Sequence, residues 1–201
     1  MKKLLVILAA VCFAFGFAGT AHATLVTFDF NAPALLANSN AAAIGTYMST
    51  LYGSTVTVIG AESSPTNEGD LLGPDGHIEN ATVGGQGVIH GFRIQFADPI
   101  SSVEFDWARE QDLTFHAEAD GVEFFLNNTP SNNQNVSGHL STYTFASPVY
   151  ELYFHDNWTG ETEIDNLIVN KIDPVATPEP ASLVLLGMGA LGLFGIKRRK
   201  A

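Results

Sequence analysis

Apolar and polar residues alternate along much of the chain with the period of two that a half-buried strand requires. The pattern opens at Leu25-Val26-Thr27-Phe28-Asp29-Phe30, with Val26, Phe28 and Phe30 on one side and Leu25, Thr27 and Asp29 on the other. Thr55 to Ile59 predicts a second strand. Between them, Ala34 to Tyr52 is alanine-rich and carries Leu35, Leu36, Ile44, Met48 and Leu51, which predicts a short helix or compact loop over one end of a sheet. Glu62 to Gln86 is rich in Gly, Asp, Asn and Pro and reads as a long polar loop. Regular alternation then predicts strands over 88–96, 103–107, 113–119, 122–127, 141–145, 150–155 and 163–169, with turn residues at 98–99, 120–121, 127–128 and 157–160. Asp120-Gly121 between two alternating segments is a hairpin signal, because a type I′ turn needs positive φ at both central positions. About eight or nine short strands at this spacing predict a mainly β fold, an antiparallel β-sandwich of jelly-roll type.

Both ends depart from this pattern. Met1-Lys2-Lys3 and the apolar run Leu4 to Phe15 form the charged and hydrophobic regions of a secretory signal peptide, and Ala21-His22-Ala23 supplies the small-x-small cleavage site. Residues 1–23 are therefore expected to be removed by signal peptidase, leaving a mature chain that starts at Thr24. At the other end Pro178-Glu179-Pro180 precedes the uncharged run Ala181 to Ile196 and the cluster Lys197-Arg198-Arg199-Lys200. That run sits at the short edge of the about 17 residues needed to span hydrocarbon, and the flanking cations can snorkel to the headgroups. Cationic clusters stay cytoplasmic, which would place the domain across the membrane. The expected organisation is a signal peptide at 1–23, a β-sandwich at 24–172, a linker at 173–180, a membrane helix at 181–196 and a basic tail at 197–201.

The motif, the glycine-spiced apolar helix and the terminal basic cluster together resemble the PEP-CTERM sorting signal. The resemblance implies recognition by exosortase with cleavage near Pro178-Glu179-Pro180, and a Gram-negative host that makes extracellular polysaccharide. The alternative is a permanent anchor that is never processed. The body resembles the lectin-like and carbohydrate-binding-module-like sandwiches common among PEP-CTERM proteins, through Phe96 to Phe105, Ala119-Asp120-Gly121-Val122 and Glu163 to Val169.

Charge and cysteine usage narrow the partners. Six of the nine basic residues lie at the extreme ends, so the segment from Thr24 to Ile172 holds Arg93, Arg109 and Lys171 against 19 of the 21 acids, or 3 − 19 = −16. Such a domain repels nucleic acid and anionic membrane surfaces and attracts cations. The single cysteine, Cys12, lies in the leader, so no disulfide holds the mature domain.

Three candidate chemistries follow. Calcium is the candidate cofactor, and none other is implied: hard carboxylate and carbonyl oxygens would bind it. If the first and last strands lie side by side, Asp29 approaches Asp165 and Asn166; Glu68, Asp70, Asp75 and Glu79 form a second acidic group. The alternative for both is solvated acidic turns. Catalysis would rest on Glu104 and Asp106, which alternation places opposite Val103, Phe105 and Trp107. Glu104 to Glu110 is similar to the Glu-x-Asp-x-x-Glu signature of laminarinase-like hydrolases but departs from it by one residue, and an exposed charged face explains it equally well. The histidines show no metal-binding spacing, so zinc chemistry is not expected. Glycan binding needs aromatic rings; Trp158, in a polar turn, with Tyr153 and also Tyr143 and Tyr150 nearby, is the candidate platform, the alternative being a tryptophan lid over the core. The function expected is that of an exported, non-enzymatic surface or matrix protein that binds extracellular polysaccharide; the rival is a small polysaccharide hydrolase.

Overall fold

The first and last strands of the domain lie side by side and close it. In the computed structural model, which describes residues 22–30, 35, 40–64, 76–80, 91–109, 114–129, 134–156 and 162–173, β1 (Ala23–Phe28) runs antiparallel to β9 (Thr162–Ile172) from Ala23↔Ile172 to Phe28↔Leu167. The remaining elements are α1 (Ala41–Tyr52), β2 (Val56–Ile59), β3 (Ala61–Ser64), β4 (His77–Asn80), β5 (Gly91–Arg109), β6 (Phe115–Ala119), β7 (Val122–Asn127) and β8 (Val136–His155). All pairings among them are antiparallel. Residues 23–173 form one compact unit. Ala21, Trp158, the linker from 174, the expected membrane helix 181–196 and the basic tail lie outside the described residues.

Two long strands make the sheet double back. The first part of β5 pairs with β2 and with the end of β8, whereas the second part pairs with β9 and the beginning of β8. Register breaks between Gln95 and Ile100, and again between Ile100 and Ser102, mark where each strand turns a corner. Asp98-Pro99 on β5 and Ser147-Pro148 on β8 sit at those corners. Proline gives no ladder hydrogen bond, so it is tolerated where pairing is already interrupted. One layer is thus β2, early β5, late β8, β6 and β7; the other is β3, β4, β9 with β1, late β5 and early β8.

Aromatic residues fill the space between the layers. Phe105 of late β5 meets Phe154 of late β8 edge to face at 5.0 Å and 79°, and Phe115 of β6 at 6.1 Å. Phe92, Phe105, Phe115 and Phe154 are fully buried. Trp107, expected in the core, is 4% exposed and packs on Phe115 and Phe125. Its cross-strand partner is Gly138, where a Cβ would come within 2.8 Å of the indole. The Asp120-Gly121 turn has φ of 47° and 77°, the positive pair that the hairpin signal requires.

Helix α1 covers one edge. Its N-cap is Asn40, whose side chain accepts from the Ala43 N–H, and Gly53 ends it at φ 74°. Ile44, Met48 and Tyr52 face inward, and the Tyr52 hydroxyl donates to the Asp98 carbonyl at 2.6 Å.

Three sequence expectations change. The polar loop expected over 62–86 contains β3 and β4, which pair with each other in register from Ala61↔Asn80 to Ser64↔His77. Their sequences, AESS and HIEN, carry too few apolar residues to alternate visibly. The described part of segment 88–96, residues 91–96, forms one strand with 103–107, and 141–145 forms one with 150–155, because the prolines bend these strands without ending them.

A cationic clamp pins β9 to the corner of β5. Lys171, 8% exposed, reaches Asp98 at 3.1 Å, Asp173 at 3.2 Å and the Tyr52 carbonyl at 3.2 Å. Burial pulls the ammonium pKa down, but bonds to the two carboxylates outweigh this and hold it above the ordinary lysine value. The nearby Ser54 hydroxyl and the Lys171 ammonium hold the Asp98 carboxyl below the usual range. A lowered carboxyl pKa stabilises the fold above the unfolded-chain value and is lost as pH falls through the folded one. Lys171→Met is therefore expected to cost about 2 kcal/mol at pH 7 in urea unfolding, less than a fully buried pair because both carboxylates are partly exposed. The difference from the parent should shrink as pH falls below the ordinary carboxyl range of about 4 and on through the lower point at which folded Asp98 takes up its proton.

Candidate functional site

Strand alternation that turns Phe105 and Trp107 inward turns Glu104 and Asp106 outward, and β8 and β9 bring polar partners to them. His139, opposite Asp106 on β8, sets Nδ1 2.7 Å from the Asp106 carboxylate and Nε2 3.7 Å from that of Glu104. The Thr142 hydroxyl donates to Glu104 at 2.7 Å. From β9, the Asn166 side-chain amide donates to Asp106 at 2.8 Å and to Asp165 at 3.2 Å. The two carboxylates singled out from sequence are thus both engaged by one imidazole.

Asn166 owes its position to a bulge. Between Glu104↔Ile168 and Asp106↔Asp165 β9 has one residue more than β5, and Asn166 takes φ 48°. Asparagine tolerates this left-handed conformation better than most residues. Its backbone N–H donates to Asp165 at 2.7 Å.

Asp165 itself is 6% exposed. Burial pushes its carboxyl up to about 6; the Asn166 N–H opposes the rise, Asp29 and Asp106 add to it and His77 reduces it. Asp29 directly follows β1, whose Phe28 lies opposite Leu167. The structure therefore brings Asp29, Asp165 and Asn166 together, and joins them to Glu104 and Asp106 in one acidic strip. Between Asp106 and Asp165 it is the Asn166 amide that answers the negative charge.

A neighbouring group escaped the sequence reading. His77 and Glu79 project from one face of β4, and Glu163 of β9 lies directly opposite Glu79. His77 is 1% exposed and Glu163 is fully buried. The His77 Nε2 stands 3.8 Å from Glu79 and 3.7 Å from Glu163. In the sequence Glu79 stands only as one acid of the polar segment 62–86. Of its companions there, Glu68, Asp70 and Asp75 lie outside the described residues.

The outer face of the other layer carries a column of rings. Arg93 lies over the Tyr153 ring at 3.8 Å, Tyr153 stacks on His155 at 4.4 Å, and His155 stacks on His116 at 4.7 Å with 9° between planes. The order follows from register, since Arg93 faces Tyr153 and His116 faces His155 across adjacent strands. Carboxylates flank it: Glu151 pairs with Arg93 and accepts from Gln95, Glu118 is 3.3 Å from His155, and Glu123 is 2.6 Å from His116. Arg93 and His155 cover the two faces of Tyr153, so the column shows ring edges and polar atoms to solvent. Tyr143, 38% exposed, packs on Phe124 and Phe145, and Tyr150 is 51% exposed. The sequence singles out Tyr153 only as a neighbour of Trp158, which lies outside the described residues. His116, His155 and Arg93 had the same outward alternation but no pattern that marked them as neighbours.

Residues 176–200 match the PEP-CTERM protein-sorting motif, which implies an exported protein processed by exosortase. No curated protein matches the chain. Among solved structures, a cleaved adhesin domain of Lys-gingipain from Porphyromonas gingivalis is similar at 13% identity and a TM-score of 0.44, covering 75% of this chain and 99% of that one. A family 29 carbohydrate-binding module solved with mannohexaose is similar at 17% identity and a TM-score of 0.40, covering 76% and 99%. A family two carbohydrate esterase from Cellvibrio japonicus gives 10% identity and a TM-score of 0.34, covering 78% and 37%.

The bulge offers a test that separates backbone from side chain. Asn166→Gly keeps the left-handed position but loses the bridge between carboxylates, whereas Asn166→Ala loses both. Equilibrium urea unfolding should show the alanine variant less stable than the glycine variant by about 1 kcal/mol.

Proposed function

We propose that this protein is an exported, exosortase-sorted component of the cell surface or extracellular matrix, without enzymatic activity, whose domain binds extracellular polysaccharide. The sorting motif at residues 176–200 is the observation that carries export and sorting. Glycan binding is supported by the column of Arg93, Tyr153, His155 and His116, which offers guanidinium, phenol and imidazole groups in a row along adjacent strands, flanked by the carboxylates of Glu151, Glu118 and Glu123. A polysaccharide presents repeated hydroxyl groups, and a strip of alternating donors and acceptors matches them by hydrogen bonding, with ring edges in contact with the sugar's apolar surface. The flanking carboxylates favour neutral over anionic glycans. Signal peptidase, exosortase and the membrane that holds the unprocessed tail are the partners this reading requires.

The purified protein is expected to bind neutral exopolysaccharides on a glycan array, with and without calcium, and to release no reducing ends from them. Tyr153→Ala should weaken binding at least tenfold, about 1.4 kcal/mol, while Glu104→Gln leaves it unchanged. Absence of glycan binding by the parent, or sugar release that disappears in Glu104→Gln, would contradict the reading.

A further inference from the structure

We infer that His77, Glu79 and Glu163 form a binding site for a divalent transition-metal ion of the zinc type. The three side chains come from β4 and β9, and each offers one ligand atom, all within 4.8 Å of one another. Among the described residues this is the one group of histidine, cysteine and carboxylate side chains that meets that distance.

Two independent features point to an ion. The first is spacing. The His77 Nε2 lies 3.8 Å and 3.7 Å from the two carboxylates, beyond the roughly 2.7–3.2 Å of an N–H···O hydrogen bond. Ligand atoms about 2.0–2.2 Å from a shared tetrahedral zinc stand somewhat over 3 Å apart, so small side-chain rotations close the set on a metal.

The second feature is charge. Glu79 and Glu163 occupy directly opposed positions on adjacent strands, where like charges destabilise a sheet. Glu163 is fully buried and Glu79 has a side-chain exposure of 13%. A protonated imidazole at His77 would set a single positive charge beside these two carboxylates. A divalent cation neutralises both carboxylates and leaves the imidazole neutral as a ligand.

The donor set selects the metal. One imidazole nitrogen with two carboxylate oxygens suits zinc and its first-row neighbours, whereas calcium takes six to eight oxygens. Three protein ligands leave a fourth position for water. Bound there, the ion ties β4 to β9 in a domain that has no disulfide.

The test is calorimetric titration of the chelator-treated full chain with Zn2+, Co2+ and Ca2+. One Zn2+ per chain is expected, Co2+ should acquire the visible absorption of a four-coordinate site, and excess Ca2+ should displace neither. Removing a ligand costs more than the ~10–100-fold lost with an outer partner, so Glu79→Gln should weaken Zn2+ binding at least a hundredfold. Because Glu79 is the least buried of the three, this variant is expected to keep the parent's near-UV circular dichroism where His77→Gln loses it. Glu104→Gln should titrate like the parent. The inference is overturned if the parent takes up no Zn2+, if Ca2+ competes on equal terms, or if folded Glu79→Gln binds Zn2+ as the parent does.

Discussion

Everything described here depends on β5 and β8 staying hydrogen-bonded to each other around two corners. Their pairing runs from Gly91↔His155 to Arg109↔Val136, through both layers of the sandwich. Because each strand contributes to both layers, the layers cannot separate without bending those strands straight. The corner brings Phe105 onto Phe154, and this edge-to-face contact links the inner faces. A domain without cysteines has to obtain its cohesion from such packing. The Lys171 clamp closes the same corner from the β9 side.

Once the inner faces are fixed, the outer ones follow from the two-residue period. On late β5 the partners of Phe105 and Trp107 are Glu104 and Asp106; on late β8 the partners of Leu152 and Phe154 are Tyr153 and His155. Each outward strip is a by-product of an inward apolar pair, and strand register then decides the neighbours. Glu104, Asp106, His139 and Asn166 meet on one layer, and Arg93, Tyr153, His155 and His116 on the other. The β9 bulge is the place where this rule is broken, and there Asn166 is turned to bridge two carboxylates.

How much was legible in the sequence depended on how far apart the cooperating residues are. Phe105 and Trp107 inside, Glu104 and Asp106 outside, and the positive-φ turn at Asp120-Gly121 are local patterns, and they read correctly. The neighbourhood of Asp29 and Asp165 required one assumption, that the first and last strands pair, which β1 and β9 do. His77, Glu79 and Glu163 were not legible, because β4 is short, polar and flanked by glycine and acidic residues, so its spacing had no strand to belong to. The stacked imidazoles were hidden for another reason: alternation gives the face of a residue, but only register between β6 and β8 places His116 beside His155.

The contact between layers is open to one direct measurement. A double-mutant cycle of Phe105→Ala and Phe154→Ala, read by urea denaturation with fluorescence and circular dichroism in parallel, reports whether one packing event holds both layers. Each single variant should lose about 3–5 kcal/mol and the double variant clearly less than their sum, with both probes moving together. Additive losses, or a variant in which one probe unfolds while the other stays native, would contradict the account.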